Sequence, residues 1–281
     1  MPNIFILLPV YNRREITEKF VNCLSAQTFS NYHLILIDDG SNDGTADMVN
    51  SKIDKLTILK GPGDWWWAGS LQQGLKWLKE NKVEENDLIL FINDDLLFSA
   101  DYLERACQVM TNKKGVLMLS RFKSGNSEDI VETGVFADLK HLRFEQITSQ
   151  KEINCLSTRG LFVHWKDVTA IGDFHPKLLP HYLSDYEYTI RAHRKGFKCE
   201  TSAELLIEPN FDTTGYHKII EVSLWNFIKK YFSKKSPNNP IYWTSFVLLT
   251  SKPLWLIPSL MRVFKRTITT IFQASSESIK S

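Results

Sequence analysis

The first 120 residues alternate short apolar runs with amphipathic stretches, and several of the runs end in a polar cluster. Residues 4–10, 34–37, 56–59, 88–92 and 115–119 are too short for buried helices and read as strands covered on both faces. Between them Ile16, Phe20 and Leu24 recur at four-residue spacing. Leu71, Leu75 and Leu78 make a second helical stripe over 70–80, and Ser99 is placed to cap a helix over 101–110. Asn12 with Glu15 reads as a capping box opening the first helix. Strands and helices alternating in this way predict an α/β fold, a mostly parallel Rossmann-type sheet flanked by helices. Ligands of such sheets bind beyond the carboxyl ends of the strands. Those ends carry Tyr11, Asp38-Asp39 and Asn93-Asp94-Asp95, so three polar clusters are predicted to meet at one edge.

The alternation weakens after residue 121. Residues 123–129 read as an exposed loop and 130–163 as irregular strands, while 184–195 is a helix stopped by Gly196. Past 197–207, residues 217–232 read as helical. Lys229, Lys230, Lys234 and Lys235 then precede 241–264, the most apolar stretch of the chain. Lys252, Pro253, Pro258 and Arg262 interrupt it, so it lacks the ~20 uninterrupted apolar residues of a spanning helix. It reads either as a segment lying in a membrane interface or as a helical pair packed on protein.

Charge and cysteines narrow the setting. A net charge of +2 gives no electrostatic reason to expect nucleic acid as a partner. The four cysteines, Cys23, Cys107, Cys155 and Cys199, lie far apart without metal-ligand spacing, as in a reducing cytoplasm. The apolar run at 4–10 follows no basic segment and reads as the first strand, not as a secretory signal.

Each polar cluster suggests a chemistry beside a plainer role. Two carboxylates at the end of a buried strand must be hydrated, paired or bound to a cation. Asp94 and Asp95 are hard oxygen donors suited to Mg2+ or Mn2+, or else they belong to a solvated turn. Asp39 can accept hydrogen bonds from a base or ribose, with Gly40 allowing the tight turn. The same loop opens like a calcium-binding loop, but the twelfth position is Asn50 where that motif needs Glu. Asp185 and Glu187 begin a helix, where the dipole favours ionised carboxylates; Asp185 is a candidate general base, or both simply stabilise the helix.

Four segments, LLPVYNR, DDGSNDGT, FINDDLL and SDYEYTIRA, stand together in an order and spacing that resemble the family-2 glycosyltransferases, whose catalytic domain has the GT-A fold. The turn from Gly61 to Gly74, with Trp67 and Gly69, resembles the family's entry into the helix beside the nucleotide, and its aromatic-glycine character is similar to rhamnosyltransferase-like members. The resemblance covers about residues 1–215. It implies a GT-A catalytic domain over 1–215, with a nucleotide-sugar part to about 120 and an acceptor-side part over 121–215. Residues 216–281 would form a helical, membrane-associated tail.

The activity so implied is inverting transfer of a single sugar from a UDP- or dTDP-sugar to a saccharide or lipid-linked saccharide acceptor. It would take place in the cytoplasm, at the inner face of the cell membrane. By the same resemblance Pro9, Tyr11, Asp39, Trp67, Gly69, Asn93 and Asp94 would touch the nucleotide-sugar. Asp95, Asp94 and His217 would hold a divalent metal, Mn2+ or Mg2+. Asp185 would be the catalytic base, and Glu187 the acidic residue that accompanies it. Arg191 is expected to brace this helix. The sequence departs from the family pattern at Ser184, where an acidic residue is common, and at Asn93, where the metal motif usually begins with Asp. The Gln-x-x-Arg-Trp motif of processive synthases is absent, which implies single additions. A nucleotidyltransferase would need a glycine-rich loop after the first strand, and VYNRRE has no glycine. A non-catalytic sugar-nucleotide binder would need a broken base or metal site, and both acidic positions are intact.

Overall fold

The computed structural model describes residues 2–123, 130–132, 134–147, 153–210 and 224–278. The expected alternation appears as β1 (Ile4–Val10), α1 (Arg14–Ser25), β2 (Tyr32–Asp38), α2 (Thr45–Asn50), β3 (Leu56–Lys60), α3 (Trp66–Glu80) and β4 (Leu88–Phe91). Then follow the short β5 (Leu96–Leu97), α4 (Tyr102–Met110), β6 (Val116–Lys123), β7 (Ile130–Glu132), β8 (Gly134–Asp138), β9 (Arg143–Ile147), β10 (Leu161–His164), α5 (Trp165–Ile171), α6 (Ser184–Arg194) and β11 (Lys198–Pro209). The main sheet has the order β3-β2-β1-β4-β10-β6-β11-β5, with β7 added on β6. β1 pairs in parallel with both β2 and β4, and β2 with β3, so these four carboxyl ends share one edge. The predicted class, a mostly parallel sheet flanked by helices, is what the chain adopts.

β1 is buried on both faces. Ile4, Ile6 and Leu8 join one apolar layer with Phe20, Val21 and Leu24 of α1 and Leu103 of α4. Phe5 and Leu7 join the other, with Leu71, Leu75 and Leu78 of α3 and Tyr188 of α6. α3 presses on the sheet at Gly74, where a Cβ would stand 2.9 Å from both Ile37 Cδ1 and Leu7 Cδ2.

The expected start of the first helix is corrected. Asn12 does not cap α1: it has φ +49°, and its side-chain oxygen accepts a 2.8 Å bond from the Asn42 N–H. The helix begins at Arg14, and its Thr17 N–H bonds the Arg13 carbonyl at 2.8 Å. Within the stretch read as irregular strands, β10 lies antiparallel between β4 and β6. All four residues of β10 are buried, so the strand has no alternation to reveal it inside an irregular stretch.

The C-terminal region is helical: α7 (Leu224–Tyr231), α8 (Pro240–Thr250) and α9 (Pro253–Ser278). α8 is capped by Asn239, whose side chain accepts from the Ile241 N–H at 2.9 Å, with Pro240 at the first helical position. Phe246 of α8 packs with Val135, Ala137 and Ile190, fixing the helix to α6 and the β8–β9 hairpin. No helix among the described residues is long and apolar enough to cross a membrane.

Candidate active site

The edge formed by β1, β2 and β4 holds two connected groups of side chains. The first surrounds Asp39. Its carboxylate is buried and accepts the Gly63 N–H at 2.9 Å on Oδ1 and the Trp66 N–H at 3.0 Å on Oδ2. Two charge-assisted bonds thus hold the loop from Gly61 to Trp66 against the end of β2. Close approach there depends on glycine. A Cβ at Gly61 would lie 2.6 Å from Asp39 Oδ1, and Gly40 has φ +86° with a Cβ position 3.0 Å from the Gly63 nitrogen. Tyr11 projects from the end of β1, 53% exposed, with its ring edge beside Gly63. Pro9 sits one turn of the pleat below it, within β1. An exposed aromatic face beside a loop of backbone amides is a surface on which a base can stack.

The second group is the acidic turn after β4. Asp94 is 4% exposed, and its Oδ2 takes a 2.9 Å bond from the Thr17 hydroxyl and lies 3.2 Å from Arg13 Nε. Arg13 also reaches Asp95, Nη2 to Oδ2 at 3.3 Å, and Arg159 Nη2 stands 4.0 Å from Asp95 Oδ1. Burial pushes the Asp94 carboxyl up to about 6, against the pull of the Arg13 charge and the Thr17 hydroxyl. Asn93 Oδ1 and Asp95 Oδ1 are buried and meet no hydrogen-bond donor among the described residues. Unsatisfied oxygens at a buried strand end need a partner. A hard divalent cation fits them.

No group of three or more His, Cys, Asp or Glu side chains that could hold a metal occurs among the described residues. A cation at this turn would be held by one or two carboxylates and completed by water and substrate phosphate, the habit of Mg2+ and Mn2+. His217, expected as a further metal ligand, lies outside the described residues.

α6 carries the third cluster. Leu183 enters the helix at φ +68°, and Ser184 Oγ donates to the His181 carbonyl at 2.6 Å. Asp185 stands in the first turn, its Oδ1 accepting the Tyr186 N–H at 3.0 Å. The same segment is tied to the donor-side loop. Ala68 N–H bonds the Pro180 carbonyl at 3.0 Å, and the Trp66 and His181 rings lie 5.9 Å apart.

The other expected residues have the following surroundings. Glu187, expected to be catalytic, is 2% exposed and takes Arg191 Nε at 2.7 Å and Nη2 at 3.1 Å, one on each carboxylate oxygen. Arg191 continues to the carbonyls of Ile171 and Asp173, at 2.7 and 2.8 Å. The pair ties α6 to α5 and the following turn, the bracing role expected of Arg191. Trp67, expected at the nucleotide-sugar, donates its indole N–H to Thr158 at 3.1 Å and packs in the layer behind α3. Gly69 is enclosed by Trp65 and Pro176. Trp66 is the tryptophan beside His181. Arg13, Thr17, Arg159 and His181 were not singled out from sequence. Arg13 alone had a signal, since it follows the exposed end of β1 and α1 turns it back toward β4.

Comparison with known proteins gives the family and supports the fold. The profile described as Glycosyl transferase family 2 matches residues 5–163, more than half of the chain. The chain belongs to that family. It is 26% identical over 207 residues to the glycosyltransferase AglE of Haloferax volcanii, covering 70% of this chain and 63% of AglE. It is 25% identical over 158 residues to WfgD of Escherichia coli, named a UDP-Glc:alpha-D-GlcNAc-diphosphoundecaprenol beta-1,3-glucosyltransferase, covering 55% of this chain and 58% of WfgD. Both matches span less than two thirds of the relative. Among solved structures, the mannosyltransferase PcManGT of Pyrobaculum calidifontis, in complex with GDP-Man and Mn2+, superposes with a TM-score of 0.57. It shares 14% identity, with 99% of this chain and 80% of that one covered, a likeness of fold.

Proposed function

We propose that the chain is an inverting, metal-dependent glycosyltransferase that moves one sugar from a UDP- or dTDP-sugar to an acceptor hydroxyl in surface polysaccharide or glycolipid assembly. The observation that carries this reading is the acidic turn after β4. Asp95 and Asn93 each present a buried oxygen without a donor, beside the exposed Tyr11 ring and the amide loop held by Asp39.

In this reading residues 1–215 are the catalytic unit and 216–281 the tail. Tyr11 stacks on the base, Pro9 shapes the floor beneath it, and Asp39 holds the loop that closes on the nucleoside. Asp95 and Asp94 would ligate Mn2+ or Mg2+, with His217 as a further candidate ligand; such an ion supplies Lewis-acid stabilisation of the charge on the departing diphosphate. Asp185 accepts the proton of the acceptor hydroxyl as its oxygen bonds to the anomeric carbon from the face opposite the diphosphate. The bond from that carbon to the diphosphate oxygen breaks as the new one forms, so the configuration inverts in a single displacement. Glu187 and Arg191 position the Asp185 helix. The acceptor is a saccharide or lipid-linked saccharide, and the chain works peripherally at the cytoplasmic face of the cell membrane.

The test is release of nucleotide from UDP- and dTDP-sugars with and without Mn2+. Metal-dependent release that disappears in Asp95→Ala and Asp185→Asn supports the assignment. Failure to bind any nucleotide-sugar removes it.

A further inference from the structure

The C-terminal helices carry a charge distribution unlike the rest of the chain. Residues 224–276 contain eight Lys and Arg and no Asp or Glu, a charge of +8, which leaves −6 on the remaining residues of a chain whose total is +2. Along the same segment α9 presents an apolar stripe to solvent. Leu254, Ile257, Met261, Phe264, Ile268 and Phe272 are 37 to 75% exposed. At 3.6 residues per turn and 1.5 Å per residue, their spacing confines them to an arc about 80° wide and a length of about 27 Å. The opposite side of the helix is already in use. Ser259 and Val263 are buried, and Ser259 Oγ donates to the Leu139 carbonyl at 3.3 Å. The stripe therefore adds nothing to the fold of the chain itself, and exposed apolar surface of this extent marks an interaction face.

Charge selects the occupant. A second copy of the chain would bring another +8 against the first, and a nucleic acid offers no apolar phase for Phe264 and Phe272. A bilayer bearing anionic headgroups satisfies both features. Because no described helix can cross it, the fit is in the plane of the surface. We propose that α9 lies flat in the interface of an anionic lipid bilayer, its six apolar side chains among the acyl chains and the exposed lysines of the segment, Lys265 of α9 among them, at the headgroup phosphates. The basic part of the same segment reaches the candidate active site. Lys234 and Lys235, on the turn between α7 and α8, hold their Nζ atoms 5.9 and 6.0 Å from the Trp66 ring. An acceptor carried in the membrane would so present its head to the loop anchored by Asp39. The proposal deepens the membrane placement given above and rests on it, but not on the transfer chemistry: vesicle binding and donor turnover are separate measurements, and either can fail alone.

The experiment is flotation of the full chain with vesicles of phosphatidylcholine alone and with about one-third phosphatidylglycerol. The expected result is binding to the anionic vesicles, weakened by salt. It should fall about tenfold or more in the triple variant Ile257→Ser, Phe264→Ser, Phe272→Ser. These positions are exposed, so an unchanged thermal unfolding midpoint establishes that the variant is folded. Absence of wild-type binding to the anionic vesicles overturns the proposal, as does equal binding by the variant. A concentration-dependent dimer in the ultracentrifuge that the triple variant abolishes also overturns it, by assigning the stripe to a second copy.

Discussion

Arg13 spans from the end of β1 to the acidic turn of β4, with its Nε 3.2 Å from Asp94 Oδ2. The same guanidinium reaches Asp95 Oδ2 at 3.3 Å, so one resident cation serves both carboxylates that would hold a metal. A divalent ion entering the turn competes with it. Arg13 is 36% exposed, which makes its hold on the pair weaker than a buried ion pair. Arg13→Ala is expected to tighten Mn2+ binding several-fold at pH 8 in the absence of nucleotide, on the scale of about 1.4 kcal/mol per tenfold. Titration followed by the electron paramagnetic resonance signal of free Mn2+ measures this. Unchanged or weaker affinity would show that Arg13 supports the site and does not compete for it.

Asp94 gives a pH dependence whose sign follows from its burial. Its carboxyl is raised to about 6 from an ordinary 3.8, so the folded chain holds this proton more tightly than the unfolded one does. Stability contributed by the group is therefore full below the ordinary value. It declines as pH rises from about 4 to about 6, by about 3 kcal/mol at 1.36 kcal/mol per pH unit. Asp94→Asn keeps the shape without the titration, and its stability difference from wild type should lose that slope. Urea unfolding of both proteins across pH 4 to about 7 tests it. A parallel pair of curves would mean that Asp94 stays ionised throughout.

The fold was legible where residues repeat with a period. The strands of the parallel half and the stripes of α1, α3 and α4 are set by local burial patterns that one stretch of sequence displays. β10 was not legible, because its place between β4 and β6 depends on pairing with strands distant in the chain, and its LFVH run looks the same in either direction. The site divided along a similar line. Tyr11, Asp39, Asp94 and Asp95 follow strands and were found at the predicted edge. Trp67 and Gly69 stand in the right motif, yet the positive φ of Trp66 (+58°) turns the neighbouring tryptophan toward His181 and Trp67 into the packing layer. No pattern of residue types announces that turn. Glu187 was ambiguous for another reason: its partner Arg191 is one helical turn away, and only the geometry reveals that both carboxylate oxygens are taken.

That difference separates two acids on one helix. Glu187→Gln breaks a buried bidentate pair and leaves the Arg191 charge without its counterpart, a loss of about 3–5 kcal/mol. Asp185→Asn changes a half-buried residue of the first turn and should alter stability by less than about 1 kcal/mol. Turnover should respond in the reverse order, with Asp185→Asn lowering kcat by about 10²–10⁴ as expected for loss of a general base. Thermal unfolding and donor-turnover assays on the two variants distinguish the roles. Equal loss of kcat in both, with stability retained in Glu187→Gln, would return Glu187 to the chemistry.

The loop held by Asp39 offers the last separation, between packing and binding. Asp39→Asn replaces one carboxylate oxygen by an amide that faces an N–H, either of Gly63 or of Trp66, and leaves that buried donor unsatisfied. A loss of about 1–3 kcal/mol follows from the desolvated group. Gly61→Ala attacks the same contact sterically, since its Cβ would fall 2.6 Å from Asp39 Oδ1 and 2.7 Å from the Trp65 ring. Overpacking of this kind costs about 1–3 kcal/mol. Both variants should also weaken nucleotide-sugar binding by about tenfold or more, because the Gly61–Trp66 backbone is the wall beside Tyr11. Calorimetric titration with UDP-sugars, set against the unfolding midpoint of each variant, makes the comparison. If Gly61→Ala lowers stability and leaves affinity intact, the loop is scaffold alone, and the nucleoside lies elsewhere along the sheet edge.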